Sequence, residues 1–110
     1  MAAEQPPKPI RSLREDDPAI EEQLDAFIAT LGETIDYLQD TELSGDVARL
    51  RIQALELEAS ATELGYPALG AAAARVAEGC GEESPEAAHK AMRDLTEVSQ
   101  RVRRGHRSAA

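Results

Sequence analysis

The sequence predicts an all-α fold, an antiparallel up-and-down four-helix bundle behind a flexible or partly helical N-terminal lead. Three observations carry this expectation. Apolar residues recur at steps of three and four through four successive segments, the spacing of one helix face. The apolar fraction of 42% comes mainly from Ala and Leu, with one Phe, two Tyr and no Trp; so few aromatic residues disfavour a sheet. Short Gly- and Pro-marked connections separate the segments, which makes consecutive helices antiparallel neighbours. A length of 110 residues allows one domain with a modest core.

Residues 1–15 read as the lead. Pro6, Pro7 and Pro9 lack backbone donors and hold their predecessors extended. Ile10 and Leu13 offer apolar side chains that could pack against the domain. Residues 16–105 form the expected bundle, and 106–110 a C-terminal tail.

Asp17-Pro18 starts the first helix: an N-cap residue, proline at the first position, then Glu21 and Glu22 in the first turn. Ile20, Leu24, Phe27, Leu31, Ile35 and Leu38 supply its inner stripe, and it runs to about 38–43. Gly32 weakens it by ~1 kcal/mol relative to Ala and marks a candidate bend. Ser44-Gly45-Asp46 is a turn, with Asp46 placed to cap the second helix. The stripe of that helix is Val47, Leu50, Ala54, Leu57, Ala61 and Leu64, and Gly65 ends it.

The third helix is expected from about Pro67 to Val76 or Ala77, with Leu69, Ala72, Ala73 and Val76 inward. Gly79-Cys80-Gly81 then reads as a loop. Ser84 is the expected N-cap of the fourth helix, with Pro85 at its first position. That helix reaches about Arg103 on a stripe of Ala88, Met92, Leu95, Val98 or Ser99, and Val102.

The net charge of −9 is uneven. Residues 18–65 hold eleven acids against two bases, Arg49 and Arg51. Nucleic-acid binding needs a basic face on the folded part, so no nucleic-acid partner is expected. Arg101, Arg103, Arg104 and Arg107 instead complement the C-terminal end of a helix dipole. No apolar run approaches the ~20 residues that cross a bilayer, and MAAEQPPKPIR lacks the apolar stretch of a signal peptide. Cys80 is the single cysteine, so no intramolecular disulfide forms. A cytoplasmic location without a membrane partner follows as an expectation.

The chemistry-bearing residues assemble no enzyme site. His89 falls about 100° from the centre of its stripe, and His106 lies in the tail; both read as surface histidines. Neither has the neighbouring ligands of a metal site, so no metal and no cofactor are expected. Glu78, Glu82 and Glu83 surround Cys80 and should raise its thiol pKa, which argues against a catalytic thiolate. Ser60 has no nearby histidine to serve as its base. Glu56 and Glu58 diverge by about 160° on a helix and form no acid–base pair.

One feature is unexplained by packing. Ala48, Ile52, Leu55 and Ala59 form a second, smaller strip on the second helix. Leu55 points roughly 130° from the centre of the inner stripe, and should be partly exposed. An exposed apolar strip of this kind marks a partner, unless Ile10 or Leu13 of the lead covers it.

The same stretch resembles a known family. Leu50-Arg51, Ala54, Leu57, Ser60-Ala61, Gly65-Tyr66 and Pro67-Ala68-Leu69 are similar to the central signature of histidine phosphotransfer (HPt) domains, approximately LRxxAHxLKGSAxxxGfpaL. Ile10-Arg11-Ser12, Asp16-Asp17-Pro18, Phe27, Gly45-Asp46 and Val98 to Gly105 extend the resemblance over roughly residues 10–105. It implies an antiparallel helical bundle that presents a phosphohistidine in mid-helix to the receiver domain of a response regulator. The departures fall at the reactive positions. Leu55 stands at the phosphohistidine position, Glu58 at that of the assisting lysine, and Ala59 at that of the adjacent glycine. Leucine has no nucleophilic nitrogen, and Glu58 reverses a charge that would face the receiver's acidic, Mg²⁺-binding pocket.

The resemblance therefore implies a degenerate, non-catalytic member that binds a receiver or a histidine kinase without transferring phosphate. Its expected docking face is Ala48, Ile52, Leu55, Glu56, Glu58, Ala59 and Thr62. A homodimer through the strip Ala48, Ile52, Leu55 and Ala59 is the alternative. Phosphotransfer through His89 is disfavoured, because His89 lacks the neighbouring Lys and Gly pattern and lies on another helix.

Overall fold

A computed structural model describes residues 8–81 and 85–106. The described chain is all-helical, with a short 3-10 turn (Pro18–Ile20) and four helices: α1 (Glu21–Ser44), α2 (Val47–Glu63), α3 (Pro67–Gly79) and α4 (Pro85–Gly105). Packing is bundle-like: α2 lies against α3, α3 against α4, and α1 against both α2 and α4.

Local chemistry sets the boundaries. The Asp17 carboxylate accepts the Ala19 N–H at 2.9 Å, with Pro18 supplying a preset φ at the first position. Asp46 accepts the Arg49 N–H at 3.1 Å and caps α2. Gly45 and Gly65 stop α1 and α2 with φ of +81° and +87°, a left-handed conformation that other residues adopt at a cost. The expected cap Ser84 lies outside the described residues.

Four boundaries differ from expectation, the first being that Asp17 and Pro18 open a 3-10 turn while the α-helix itself starts at Glu21. The first helix continues unbroken through Gly32 to Ser44. There the missing side chain makes room for Arg103, whose Nη1 would lie 3.3 Å from a Cβ on Gly32. The third helix extends to Gly79, which takes that glycine out of the expected loop. Its helical position follows from packing: a Cβ on Gly79 would stand 2.8 Å from the Cα of Ala88, so α3 and α4 touch backbone to backbone there. The fourth helix reaches Gly105 rather than Arg103.

The core collects Leu24, Leu31, Ile35 and Leu38 from α1, Leu50, Ala54, Leu57 and Ala61 from α2, Leu69, Ala72, Ala73 and Val76 from α3, and Met92, Leu95 and Val102 from α4. At α4 the position between the two candidates resolves to Ser99, which is buried and satisfies its hydroxyl on the Thr96 carbonyl at 2.7 Å. Val98 packs from the edge. Val47 departs from its stripe: it is 49% exposed. It is the first residue of α2, beside the turn, where the helix has not yet come under cover of its neighbours. Phe27 is half-buried and stacks on buried Tyr66, ring centroids 6.1 Å apart, an arrangement that adds to plain area burial.

The described part of the lead is a strap. Arg101 Nε donates to the Lys8 carbonyl at 2.8 Å, and the Ile10 N–H to the Arg101 carbonyl at 2.9 Å. Further on, the Leu13 N–H donates to the Gly65 carbonyl at 2.8 Å. The buried Ser12 hydroxyl donates to the Leu64 carbonyl and accepts the Arg14 N–H. Arg14 Nη1 donates to the Glu63 carbonyl at 2.8 Å. Carbonyls left without intrahelical partners at the end of α2 are thereby satisfied. Ile10 packs on the core edge, whereas Leu13 is 79% exposed.

Candidate functional site: the outward face of α2

The inner face of α2 is closed: Leu50, Ala54, Leu57 and Ala61 are all buried. Burial of those four positions orients the remainder, because a helix turns about 100° per residue. Ile52 is left 59% exposed and Leu55 42% exposed. Ala48, Glu56, Ala59 and Thr62 are exposed beside them, and Glu58 is half-buried on the side toward α3. The strap does not reach this face. Its anchors are Glu63, Leu64, Gly65 and the last turns of α4. Those at the end of α2 lie more than one turn from Leu55, which stays 42% exposed while Leu13 is itself 79% exposed.

A groove between α1 and α2 adjoins the face. Phe27, Thr34 and Tyr37 from α1 meet Gln53, Glu56 and Ser60 from α2 around a space of about 350 Å³. Tyr37 is 65% exposed, and residue-by-residue sequence reading did not single it out. The signal was present: Tyr37 sits off the stripe of α1, as Leu55 sits off that of α2. Gln53 Oε1 is buried in the same region without a hydrogen-bond partner among the described residues. The face is thus a mixed surface, with apolar Ile52, Leu55 and Tyr37 flanked by carboxylates at Glu56 and Glu58.

Leu55 carries no nucleophile, and no histidine lies on α2. His89 is exposed on α4, and its Nδ1 lies 3.1 Å from Glu42 Oε2 on α1. His106, expected in a free tail, is held instead. The longer α4 delivers it to α1, where Nε2 lies 2.8 Å from Asp25 Oδ1 with the ring only 17% exposed. Burial raises the pKa of Cys80, with Glu42 adding to the rise and Arg51 opposing it. The expected direction holds, but burial, not the charge of its sequence neighbours, is the main cause. Among the described residues, no group of three or more His, Cys, Asp or Glu side chains converges as metal ligands would, and no helix is long and apolar enough to cross a membrane. Comparison of the chain with protein-family models, with curated proteins and with solved structures returns no match.

Proposed function

We propose that the chain is a non-catalytic docking module of two-component signalling, built as an up-and-down HPt-like bundle, that binds a receiver or histidine kinase domain in the cytoplasm without passing phosphate. The observation that carries this reading is the outward exposure of Ile52 and Leu55 on a helix whose opposite face is buried. Leu55 stands where the resembled family presents its phosphohistidine. The short connections around Gly45 and Gly65 support the up-and-down course.

Physical chemistry favours contact over transfer at this face. Fully burying an exposed leucine side chain is worth about 1.5–3 kcal/mol, and Leu55, 42% exposed, has a little under half of that surface left to contribute to a complex. Glu56 and Glu58 oppose approach to an acidic pocket, so the preferred partner surface presents cations opposite them. The test mixes the purified protein with phosphorylated receivers and with kinase domains from the same organism. Binding that is lost in Leu55→Asp, with unchanged helicity by circular dichroism, is the expected result. If no receiver or kinase binds, and no receiver changes its dephosphorylation rate, the signalling role falls.

A second reading is favoured by one specific observation: Ala48, Ile52, Leu55 and Ala59 are all exposed along one line of α2. Small residues at both ends of such a strip permit close helix approach, so a homodimer could form through it. Light scattering separates the two readings. A dimer that becomes monomeric in Leu55→Asp supports self-association; a wild-type monomer removes it.

A further inference from the structure

A cavity of about 550 Å³ opens where the α1–α2 turn meets the end of α3 and the start of α4. It lies apart from the outward strip and takes no part in the docking role. Its inner wall is apolar, formed by buried Leu50, Gly79 and Ala88 with half-buried Cys80. The backbone contact of Gly79 with Ala88 fixes the back of the space. Exposed Val47, His89, Lys90 and Arg93 stand around the mouth. A volume of several hundred Å³ with an apolar interior and a few polar groups is the usual form of a small-molecule site.

The charges at the mouth select the ligand. Two of the acids are engaged: Glu42 faces His89 at 3.1 Å, and Asp46 accepts the Arg49 N–H at 3.1 Å. Glu86, the third, sits in the first turn of α4, where the helix dipole favours it. Lys90 and Arg93 make no ion pair with any acid among the described residues. In a chain of net charge −9, this is a place where cations with no ion pair among the described residues border an apolar hollow.

We propose that the cavity binds a small amphipathic carboxylate, its apolar body against Leu50, Cys80 and Ala88 and its carboxylate at Lys90 and Arg93. The hollow removes the hydrocarbon from water, and the two cations hold the anion at the exposed mouth, where it keeps part of its hydration. An amphipathic amine of the same length meets the same wall but gains nothing from Lys90 and Arg93, and two of the carboxylates it would seek are already engaged, Glu42 by His89 and Asp46 by the Arg49 N–H.

Octanoate is the probe, with octylamine as its charge-reversed control. In an amide NMR titration, octanoate shifts Leu50, Cys80 and Ala88 saturably and slows alkylation of Cys80 by iodoacetamide. The double variant Lys90→Glu/Arg93→Glu weakens octanoate about tenfold or more; both positions are exposed, and circular dichroism checks the fold. If that variant does not fold, Lys90→Gln/Arg93→Gln makes the same comparison with a smaller loss. Leu55→Asp leaves octanoate binding unchanged, which separates this site from the docking face. The proposal is overturned by an absence of saturable shifts at the wall, by octylamine binding as tightly as octanoate, or by charge variants that keep full affinity.

Discussion

Gly65 and Gly45 use the same backbone device in opposite surroundings. Each ends a helix with φ above +80°. Around Gly45 there is nothing within 4 Å of the place a Cβ would occupy. Around Gly65 the strap is packed so closely that a Cβ would lie 2.6 Å from Ser12 Oγ and 2.9 Å from the Arg14 nitrogen. One connection is therefore open and adjoins a cavity, while the other is closed by a chain segment bound through its backbone. The difference teaches that a helix-stopping glycine answers two separate demands, a conformational one at both sites and a steric one at Gly65 alone.

Alanine at the two positions separates those demands. Gly45→Ala carries only the left-handed penalty, about 1–2 kcal/mol. Gly65→Ala carries that penalty and a clash with backbone that cannot rotate away, which raises the cost to roughly 3–4 kcal/mol. Urea unfolding of both variants measures the gap. Equal losses would show that the strap moves aside freely, and the contrast between the two connections would then disappear.

The strap was the least legible part of the fold, and the reason is physical. Caps are local: Asp46, Gly45 and Gly65 mark helix ends through interactions within a few residues and act as the sequence implies, and Asp17-Pro18 does so for the 3-10 turn that leads into α1. The strap is held by contacts between residues about fifty and ninety apart in sequence, such as Ser12 with Leu64 and Lys8 with Arg101, and nothing local announces them. Helical periodicity located the exposed side of Leu55 because it follows from the burial of Leu50, Ala54 and Leu57. It misplaced Val47 because a stripe records angle, not whether a neighbouring helix extends far enough to cover it. His106 was misread because its environment depended on α4 continuing to Gly105.

Ser12 tests how much of the closure comes from one side chain. Its hydroxyl is buried, donates to the Leu64 carbonyl and accepts the Arg14 N–H at 2.9 Å. Ser12→Ala removes both bonds and leaves a carbonyl at the end of α2 without that donor. The expected loss is about 1–2 kcal/mol, with faster amide exchange at Leu13 and Arg14 and no change at Gly45. Exchange that rises equally at both connections would mean that the strap stabilises the whole fold rather than one region of it.

The smallest expected effect lies where the strap hands over to α1, and acid reveals it. Asp17 accepts the Ala19 N–H and pairs with Arg14 Nη2 at 3.2 Å. The backbone hydrogen bond first, and the Arg14 bond second, hold its carboxyl below the ordinary carboxylate range. A carboxyl whose pKa is lowered by folding contributes stability above its unfolded pKa, and that contribution is lost as pH falls through the folded value. Asp17→Asn keeps a capping oxygen but removes the charge, so it mimics the protonated side chain. At neutral pH the variant should be slightly less stable than wild type in urea, by less than Ser12→Ala, because both members of the Asp17–Arg14 pair are solvated. The two proteins should converge as pH drops below the folded pKa of Asp17. A gap that persists unchanged in acid would assign the difference to cap geometry rather than to charge.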